Sequence, residues 1–250
     1  MSPTERKLRA LGERAWPRLA AAAGLVAAAL VIAVLFGTVN IAPMPARTWT
    51  FEGAATDPAS LGFETSSKEA GEWRVVDHEG ASGNRALVNL AGDPTAPAAS
   101  AIAQNSVMRD LKAATRCKSS AGRRLQSCGL VFRYIDRANY YVARVDVGRG
   151  EVSLGVVVRG VERPIKSALS DVSGTWQELA VVAQADHLLV ALNGRELFTV
   201  RDPTLPSAGR IGVWAPADGE AYFDELSFAV LPATRAHPSD LLPILLRRRT

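Results

Sequence analysis

The chain has 250 residues, of which 48% are hydrophobic and 22% charged, so it is long enough for one large domain or two small ones. Its net charge is +4, but the excess of basic residues lies at the two ends. Residues 1–18 have a net charge of +3 and residues 247–249 are three arginines, which leaves residues 19–246 with a net charge of −2. The slight excess of acidic residues between residues 19 and 246 argues against a basic groove that binds nucleic acid.

An uncharged apolar segment covers residues 19–39. As a helix rising about 1.5 Å per residue, it would span a bilayer core of roughly 30 Å. The basic residues 1–18 should stay in the cytoplasm, which sends the remainder of the chain outward. The alternative is a cleaved signal peptide, whose apolar region is usually about 7–15 residues long and ends at a small-residue site that IAPMPAR matches poorly. Because such an Ala-rich anchor is typical of bacteria, we predict a single-pass inner-membrane protein with most of its chain in the periplasm.

After a proline-containing linker at residues 40–48, the apolar segments become short and are bounded by Gly, Asn, Asp and Pro. Segments of this length and β-rich composition predict an antiparallel all-β domain over residues 49–231. Asn193-Gly194 separates two apolar runs and predicts a hairpin with a type I′ turn. Asp136–Asn139 predicts a second hairpin with a four-residue loop.

The C-terminal tail, residues 232–250, contains the apolar sequence LLPILL before its three arginines. This sequence is far too short to span a membrane and has a proline in its middle. It could lie at a membrane interface, bind a partner or form a disordered end, and we predict disorder.

The sequence has two cysteines, Cys117 and Cys128, separated by ten polar, turn-like residues. An outward-facing domain lies in an oxidising compartment, where a lone pair of cysteines usually closes a disulfide. Metal binding would need more ligands than this pair supplies. We therefore predict a structural disulfide at the end of a hairpin.

Short strand motifs follow one another in a defined order between residues 49 and 230. They are Phe51-Glu-Gly, Leu61-Gly-Phe, Gly71-Glu-Trp-Arg-Val, Gly129-Leu-Val-Phe-Arg-Tyr, Asn139-Tyr-Tyr, Trp176-Gln-Glu-Leu-Ala-Val, Val190-Ala-Leu-Asn-Gly, Gly209-Arg-Ile-Gly-Val-Trp and Phe223-Asp-Glu-Leu. Together they resemble the concanavalin A-like lectin/glucanase superfamily, particularly its laminin-G-like and 3-keto-disaccharide hydrolase branches. The resemblance implies a jelly-roll β-sandwich of two antiparallel sheets. It implies no single activity, because this fold hosts lectins, glycosidases and adhesion modules.

Period-two alternation places Tyr140, Arg144 and Asp146 on one face of a strand, and Arg133 of the preceding strand can share that face. In jelly-roll lectins the concave sheet carries the ligand. The resemblance therefore implies a site for a glycan or an envelope protein on this face, with Trp214 or Trp73 as a stacking ring. The alternative is cross-strand ion pairing on a solvated sheet face.

Glu52 near the first strand and Asp224 in the last strand are candidate ligands for a structural Ca²⁺, which related jelly rolls bind where the terminal strands pair. Calcium takes six to eight oxygen ligands at about 2.3–2.6 Å. The alternative is that Asp224 caps its strand or pairs with an arginine such as Arg210.

Catalytic signatures are weak in this sequence. Retaining glucanases of the superfamily carry closely spaced carboxylates along one strand, and no such row is present. None of the three histidines lies in a recognisable nucleophile motif. The favoured hypothesis is non-catalytic recognition of a glycan or envelope partner; the alternatives are a glycoside hydrolase of the keto-disaccharide type and a purely structural envelope domain.

Overall fold

A computed structural model of the protein describes residues 47–122, 126–172 and 175–232. Within these residues the chain forms fifteen strands and three short 3₁₀ helices. The strands are β1 (Arg47–Trp49), β2 (Phe63–Thr65), β3 (Gly71–Asp77), β4 (Arg85–Ala91), β5 (Ala99–Ala103), β6 (Leu111–Gly122), β7 (Ser127–Asp136), β8 (Asn139–Asp146), β9 (Glu151–Val158), β10 (Val161–Leu169), β11 (Gln177–Gln184), β12 (His187–Leu192), β13 (Arg195–Arg201), β14 (Arg210–Ala215) and β15 (Gly219–Val230). The 3₁₀ helices are Pro58–Leu61, Lys68–Ala70 and Ser82–Asn84.

The strands form two antiparallel sheets. In the eight-stranded sheet the order is β13-β12-β11-β6-β15-β4-β3, and β1 also pairs with β15. In the seven-stranded sheet the order is β10-β9-β8-β7-β14-β5-β2. The predicted all-β sandwich of two antiparallel sheets is confirmed.

One face of each sheet packs into a shared hydrophobic core. Phe132 and Leu154 of the seven-stranded sheet belong to this core together with Leu179 and Phe223 of the eight-stranded sheet, and all four are buried. A second cluster contains Val131, whose side chain points away from the core because side chains alternate along β7. Its buried members are Ile102, Val131, Tyr134, Val142 and Trp214. The seven-stranded sheet therefore carries apolar side chains on both faces.

The two predicted hairpins are present, with one difference in loop length. Asn193 and Gly194 have φ values of 51° and 75°, the left-handed conformation that a type I′ turn requires. At the other hairpin, Asp136 and Asn139 are paired with each other, so the turn has two residues rather than the predicted four.

The predicted disulfide between Cys117 and Cys128 is confirmed. Cys117 lies on β6 and Cys128 on β7, so the bond joins the two sheets across the buried core rather than closing one hairpin. In the loop-entropy model the bond contributes about 3 kcal/mol, because it restricts the unfolded chain.

The predicted anchor at residues 19–39 and most of the tail at residues 232–250 lie outside the described residues. Among the described residues, no helix is long and apolar enough to cross a membrane.

Candidate functional site

The candidate site is built on β8, whose side chains alternate as the sequence predicts. Tyr141, Ala143 and Val145 are buried in the core. Tyr140, Val142, Arg144 and Asp146 consequently point to the opposite side of the seven-stranded sheet, and we call that side the outer face. At about 3.4 Å per residue, the row from Tyr140 to Asp146 is roughly 20 Å long.

Arg144 is the central polar residue of the outer face. Its guanidinium carbon lies 5.0 Å from the ring centroid of Trp214 on β14. Its Nη1 donates to Oε2 of Glu162 on β10 over 3.2 Å, and its Nη2 donates to Oε1. The Arg144 side chain is 21% exposed and that of Glu162 is 38% exposed, so solvent reaches the ion pair. Trp214, at 5% exposure, lies beneath the guanidinium rather than open to solvent.

Two glycines provide the space in which Arg144 packs over Trp214 and pairs with Glu162. Gly129 on β7 is the register partner of both Arg144 and Trp214. A Cβ atom at Gly129 would lie 3.0 Å from Arg144 Cγ and 3.4 Å from Trp214 Cε3. A Cβ at Gly155 on β9 would lie 2.9 Å from Glu162 Oε1. Arg144 lies flat over the sheet because Gly129, its register partner on β7, has no side chain, and Gly155 leaves room for the Glu162 carboxylate.

A second arginine is held in the same way farther along the outer face. Arg210 lies 5.3 Å from the ring centroid of Tyr134, and its Nη1 donates to Glu64 Oε2 over 2.7 Å. The rings of Tyr134 and Tyr140 are 5.7 Å apart. Burial raises the pKa of both tyrosine hydroxyls, so they stay protonated as hydrogen-bond donors at neutral pH.

A hollow lies at each end of the β8 row. The first, of about 170 Å³, is lined by polar side chains that include Arg144, Asp146 and Glu151. The second, of about 230 Å³, is lined by Tyr134, Tyr140 and several serines. The outer face thus has a carboxylate-bearing hollow, a central arginine and a tyrosine-lined hollow along one strand.

The prediction that Arg133 shares this face is wrong. Arg133 is completely buried, and its φ of 47° lies where the β7–β8 register shifts between Phe132 and Asp136. Because of this irregularity the period-two pattern does not continue through Arg133.

Arg133 instead joins three loops inside the domain. Its guanidinium donates to the carbonyl oxygens of Arg109, Leu205 and Ala185 over 3.0, 3.2 and 2.6 Å. One Nη lies 3.7 Å from Asp110 Oδ1. Its role in the structure is therefore to satisfy buried carbonyl groups.

Trp73 does not lie on the outer face either. It belongs to β3 of the eight-stranded sheet and packs against Phe223, with ring centroids 5.8 Å apart. Of the predicted ligand-binding residues, the structure brings together Arg144, Tyr140, Asp146 and Trp214. Reasoning from the sequence missed Glu162, Glu64 and Arg210, because their contacts depend on long-range strand order.

The candidate calcium ligands, Glu52 and Asp224, approach the same turn. A Cβ at Gly83 would lie 2.6 Å from Glu52 Cδ, and the Ser82 backbone N–H donates to Asp224 Oδ2 over 2.6 Å. Asp224 is paired with Arg116, 3.8 Å away, and not with Arg210 as the alternative suggested. Among the described residues, no group of three or more His, Cys, Asp or Glu side chains gathers at a possible metal position.

Comparisons with solved structures found several proteins of similar fold. A carbohydrate-binding module, CBM66 from Bacillus subtilis, has a TM-score of 0.56 and 18% identity, covering 67% of this chain and 95% of the module. A β-glucanase from Bacillus licheniformis has a TM-score of 0.51 and 10% identity, covering 76% and 98%. The exoplasmic/lumenal domain of VIP36, in a Ca²⁺/Man3GlcNAc-bound form, has a TM-score of 0.53 and 9% identity, covering 78% and 94%.

No protein-family model matches the sequence, and a comparison with curated proteins found no match. At identities of 9–18%, the structural likeness concerns the fold. The described residues share a fold of two antiparallel sheets with these structures, as expected from the resemblance of the strand motifs.

Proposed function

We propose that the outer face binds a glycan without cleaving it. The observation that carries this proposal is the Arg144–Glu162 ion pair, which solvent reaches and which packs over Trp214. Arg144 belongs to β8, the strand that has a hollow at each end of its outward-facing row. A guanidinium offers several donors in a fixed plane, and a carboxylate beside it offers acceptors. Together they suit adjacent sugar hydroxyls. The structural neighbours include a carbohydrate-binding module and a domain bound to Man3GlcNAc, which support the same proposal.

The ligand we propose is an extended, neutral oligosaccharide lying along β8. The row from Tyr140 to Asp146 is about 20 Å long, enough for several sugar units. Arg144 and Arg210 are each paired with a glutamate, so neither offers an unpaired positive charge to an acidic sugar. The tyrosine hydroxyls and serines of the second hollow provide further neutral hydrogen-bonding groups.

The carboxylates of Glu162 and Glu64 lie too far apart to act together as the two catalytic groups of a glycosidase. Glu162 on β10 and Glu64 on β2 lie on opposite edge strands of the seven-stranded sheet. Six strand spacings of about 4.8 Å put them about 29 Å apart along the sheet. Glycosidases hold their two carboxyl groups about 5–9.5 Å apart.

Glycoside hydrolysis remains the second candidate because Asp146 and Glu151 are direct partners across β8 and β9. Cβ atoms of such partners lie about 4.5–5.5 Å apart. Asp146, however, accepts the Arg149 backbone N–H over 3.0 Å and lies 3.8 Å from Arg149 Nε. This pairing occupies the carboxylate, which favours binding over proton transfer.

We further propose that residues 19–39 anchor the chain in a bacterial inner membrane, with the sandwich in the periplasm. The uncharged 21-residue segment and the basic residues before it support this topology. The buried disulfide is consistent with an oxidising compartment. An envelope protein as the partner, or a purely structural role, would be the conclusion if no glycan binds.

A glycan array tests the proposed function. The purified full chain is compared with Arg144→Ala and with Arg195→Ala, a matched variant at an exposed arginine on β13 of the other sheet. We expect neutral oligosaccharides to bind the wild type and Arg195→Ala, and binding to fall about tenfold or more in Arg144→Ala, as expected for losing hydrogen bonds from a charged group. No binding by the folded wild type, or equal binding by both variants, would refute the proposal.

Hydrolysis is tested on the glycans that bind. We expect no new reducing ends after prolonged incubation with the wild type. Product formation that Asp146→Asn or Glu151→Gln abolishes would establish the hydrolase instead.

A further inference from the structure

The carboxylate of Asp224 is a buried anion on the outward side of the eight-stranded sheet. Its side chain is 0% exposed. Oδ2 accepts the Ser82 backbone N–H over 2.6 Å, and Oδ1 accepts the Glu225 backbone N–H over 2.7 Å. Burial raises its pKa, and these two N–H donors act in the opposite direction. A buried carboxylate of this kind requires a compensating positive charge.

Arg116 on β6 is the cation that faces it. Arg116 and Asp224 are register partners, and Arg116 Nη1 lies 3.8 Å from Asp224 Oδ2 and 3.6 Å from Glu225 Oε1. Arg116 Nη2 donates to the Gly80 carbonyl over 3.3 Å, and its guanidinium carbon lies 5.2 Å from the Trp176 ring centroid. The guanidinium is thus fixed between a carboxylate pair and an aromatic ring.

A calcium ion does not fit the donors that surround Asp224. Calcium needs six to eight oxygens at about 2.3–2.6 Å, whereas an N–H donor points at each Asp224 oxygen. The guanidinium beside them would repel a second cation. The calcium site expected at Glu52 and Asp224 is therefore not supported by the arrangement of these residues.

We infer that Arg116 takes the place of a structural calcium ion in this domain. Its guanidinium joins the turn after β3, through Gly80, to Asp224 and Glu225 in the middle of β15, where the register with β6 shifts. The domain then holds this turn without any metal, and its stability does not depend on calcium. This inference is independent of glycan binding, because the residues involved lie on the other sheet.

Thermal unfolding of the full chain tests the inference. The midpoint is measured with excess Ca²⁺ and with a chelator, for the wild type, Arg116→Met and the matched surface variant Arg195→Met. If the domain had a calcium site, free calcium at 100 times the Kd of that site would raise the unfolding midpoint of a domain of this size by about 5–10 °C. We expect no calcium-dependent shift in the wild type, and a midpoint several degrees lower in Arg116→Met than in Arg195→Met.

A wild-type midpoint that rises with calcium, and no longer rises in Asp224→Asn, would overturn the inference. So would an Arg116→Met protein as stable as Arg195→Met. If Arg116→Met does not fold, Arg116→Lys is used in its place. Lysine keeps the positive charge but lacks the planar guanidinium, so we expect Arg116→Lys to be less stable than the wild type and more stable than Arg116→Met.

Discussion

The guanidinium of Arg144 lies 5.0 Å from the ring centroid of Trp214, and Gly129 is the register partner of both residues. The absence of a side chain at Gly129 allows this contact. A Cβ there would lie 2.7 Å from the Ala143 carbonyl oxygen, closer than real Cβ atoms approach backbone. The geometry of the proposed ligand face therefore depends on a residue that would make no contact with ligand.

Gly129→Ala should displace Arg144 and weaken glycan binding about tenfold or more. It should also destabilise the domain by about 1–3 kcal/mol, as overpacking usually does. Isothermal titration with an array-identified glycan and urea unfolding measure the two effects. Gly148→Ala is the control, because its added Cβ would meet only Asp146 Oδ1 at an ordinary 3.5 Å. Unchanged affinity in Gly129→Ala would show that the position of Arg144 does not matter for binding.

Arg133→Met should be among the most destabilising substitutions in the domain. It removes the donors to three carbonyls and leaves Asp110 without the guanidinium 3.7 Å away. Breaking a buried charged interaction of this kind costs about 3–5 kcal/mol. Chemical unfolding of Arg133→Met and of the exposed control Arg195→Met measures the difference. A loss below about 1 kcal/mol would mean that the three loops find other donors.

Alkaline pH should destabilise the protein through Tyr141. The Tyr141 hydroxyl donates to Asp202 Oδ1 over 2.8 Å and accepts the Leu205 N–H over 3.1 Å, and burial raises its pKa to about 12. The folded protein therefore holds this proton more tightly than the unfolded chain, where tyrosine has a pKa of about 10. The resulting stability is complete below pH 10 and is lost as the pH rises toward 12.

Urea midpoints at pH 8, 10 and 11 check this prediction. The wild type should exceed Tyr141→Phe in stability at pH 8, and the difference should shrink at pH 11. Tyr134 and Tyr140, whose pKa values are also raised, contribute equally to both proteins and cancel in the comparison. A constant difference across this range would contradict the assignment to Tyr141.

The fold could be predicted from local sequence signals because most of them report on one strand or one turn. Asn193-Gly194 specifies its own turn conformation, and alternation along β8 correctly separates Tyr140 and Arg144 from Tyr141. The two cysteines pair as expected because no others are present in the sequence. These features need no knowledge of which strands are neighbours.

The candidate site was only partly predictable, because strand order and irregular backbone are not local properties. Arg133 lies at a register shift with positive φ, where alternation no longer applies. Glu162 reaches Arg144 because β10, β9 and β8 are consecutive in the sheet. One signal was available, since a glycine within an apolar strand, as at Gly129, often marks a close approach of neighbouring groups.

Glycan binding by the outer face is tested most directly by calorimetric titration. The best neutral oligosaccharide from the array is titrated into the full-length protein, its Arg144→Ala variant and its Arg195→Ala variant. We predict measurable affinity for the wild type, the same affinity for Arg195→Ala, and a loss of about tenfold or more for Arg144→Ala. Equal affinity in all three proteins would contradict this prediction, because the ligand would then bind elsewhere than on the outer face.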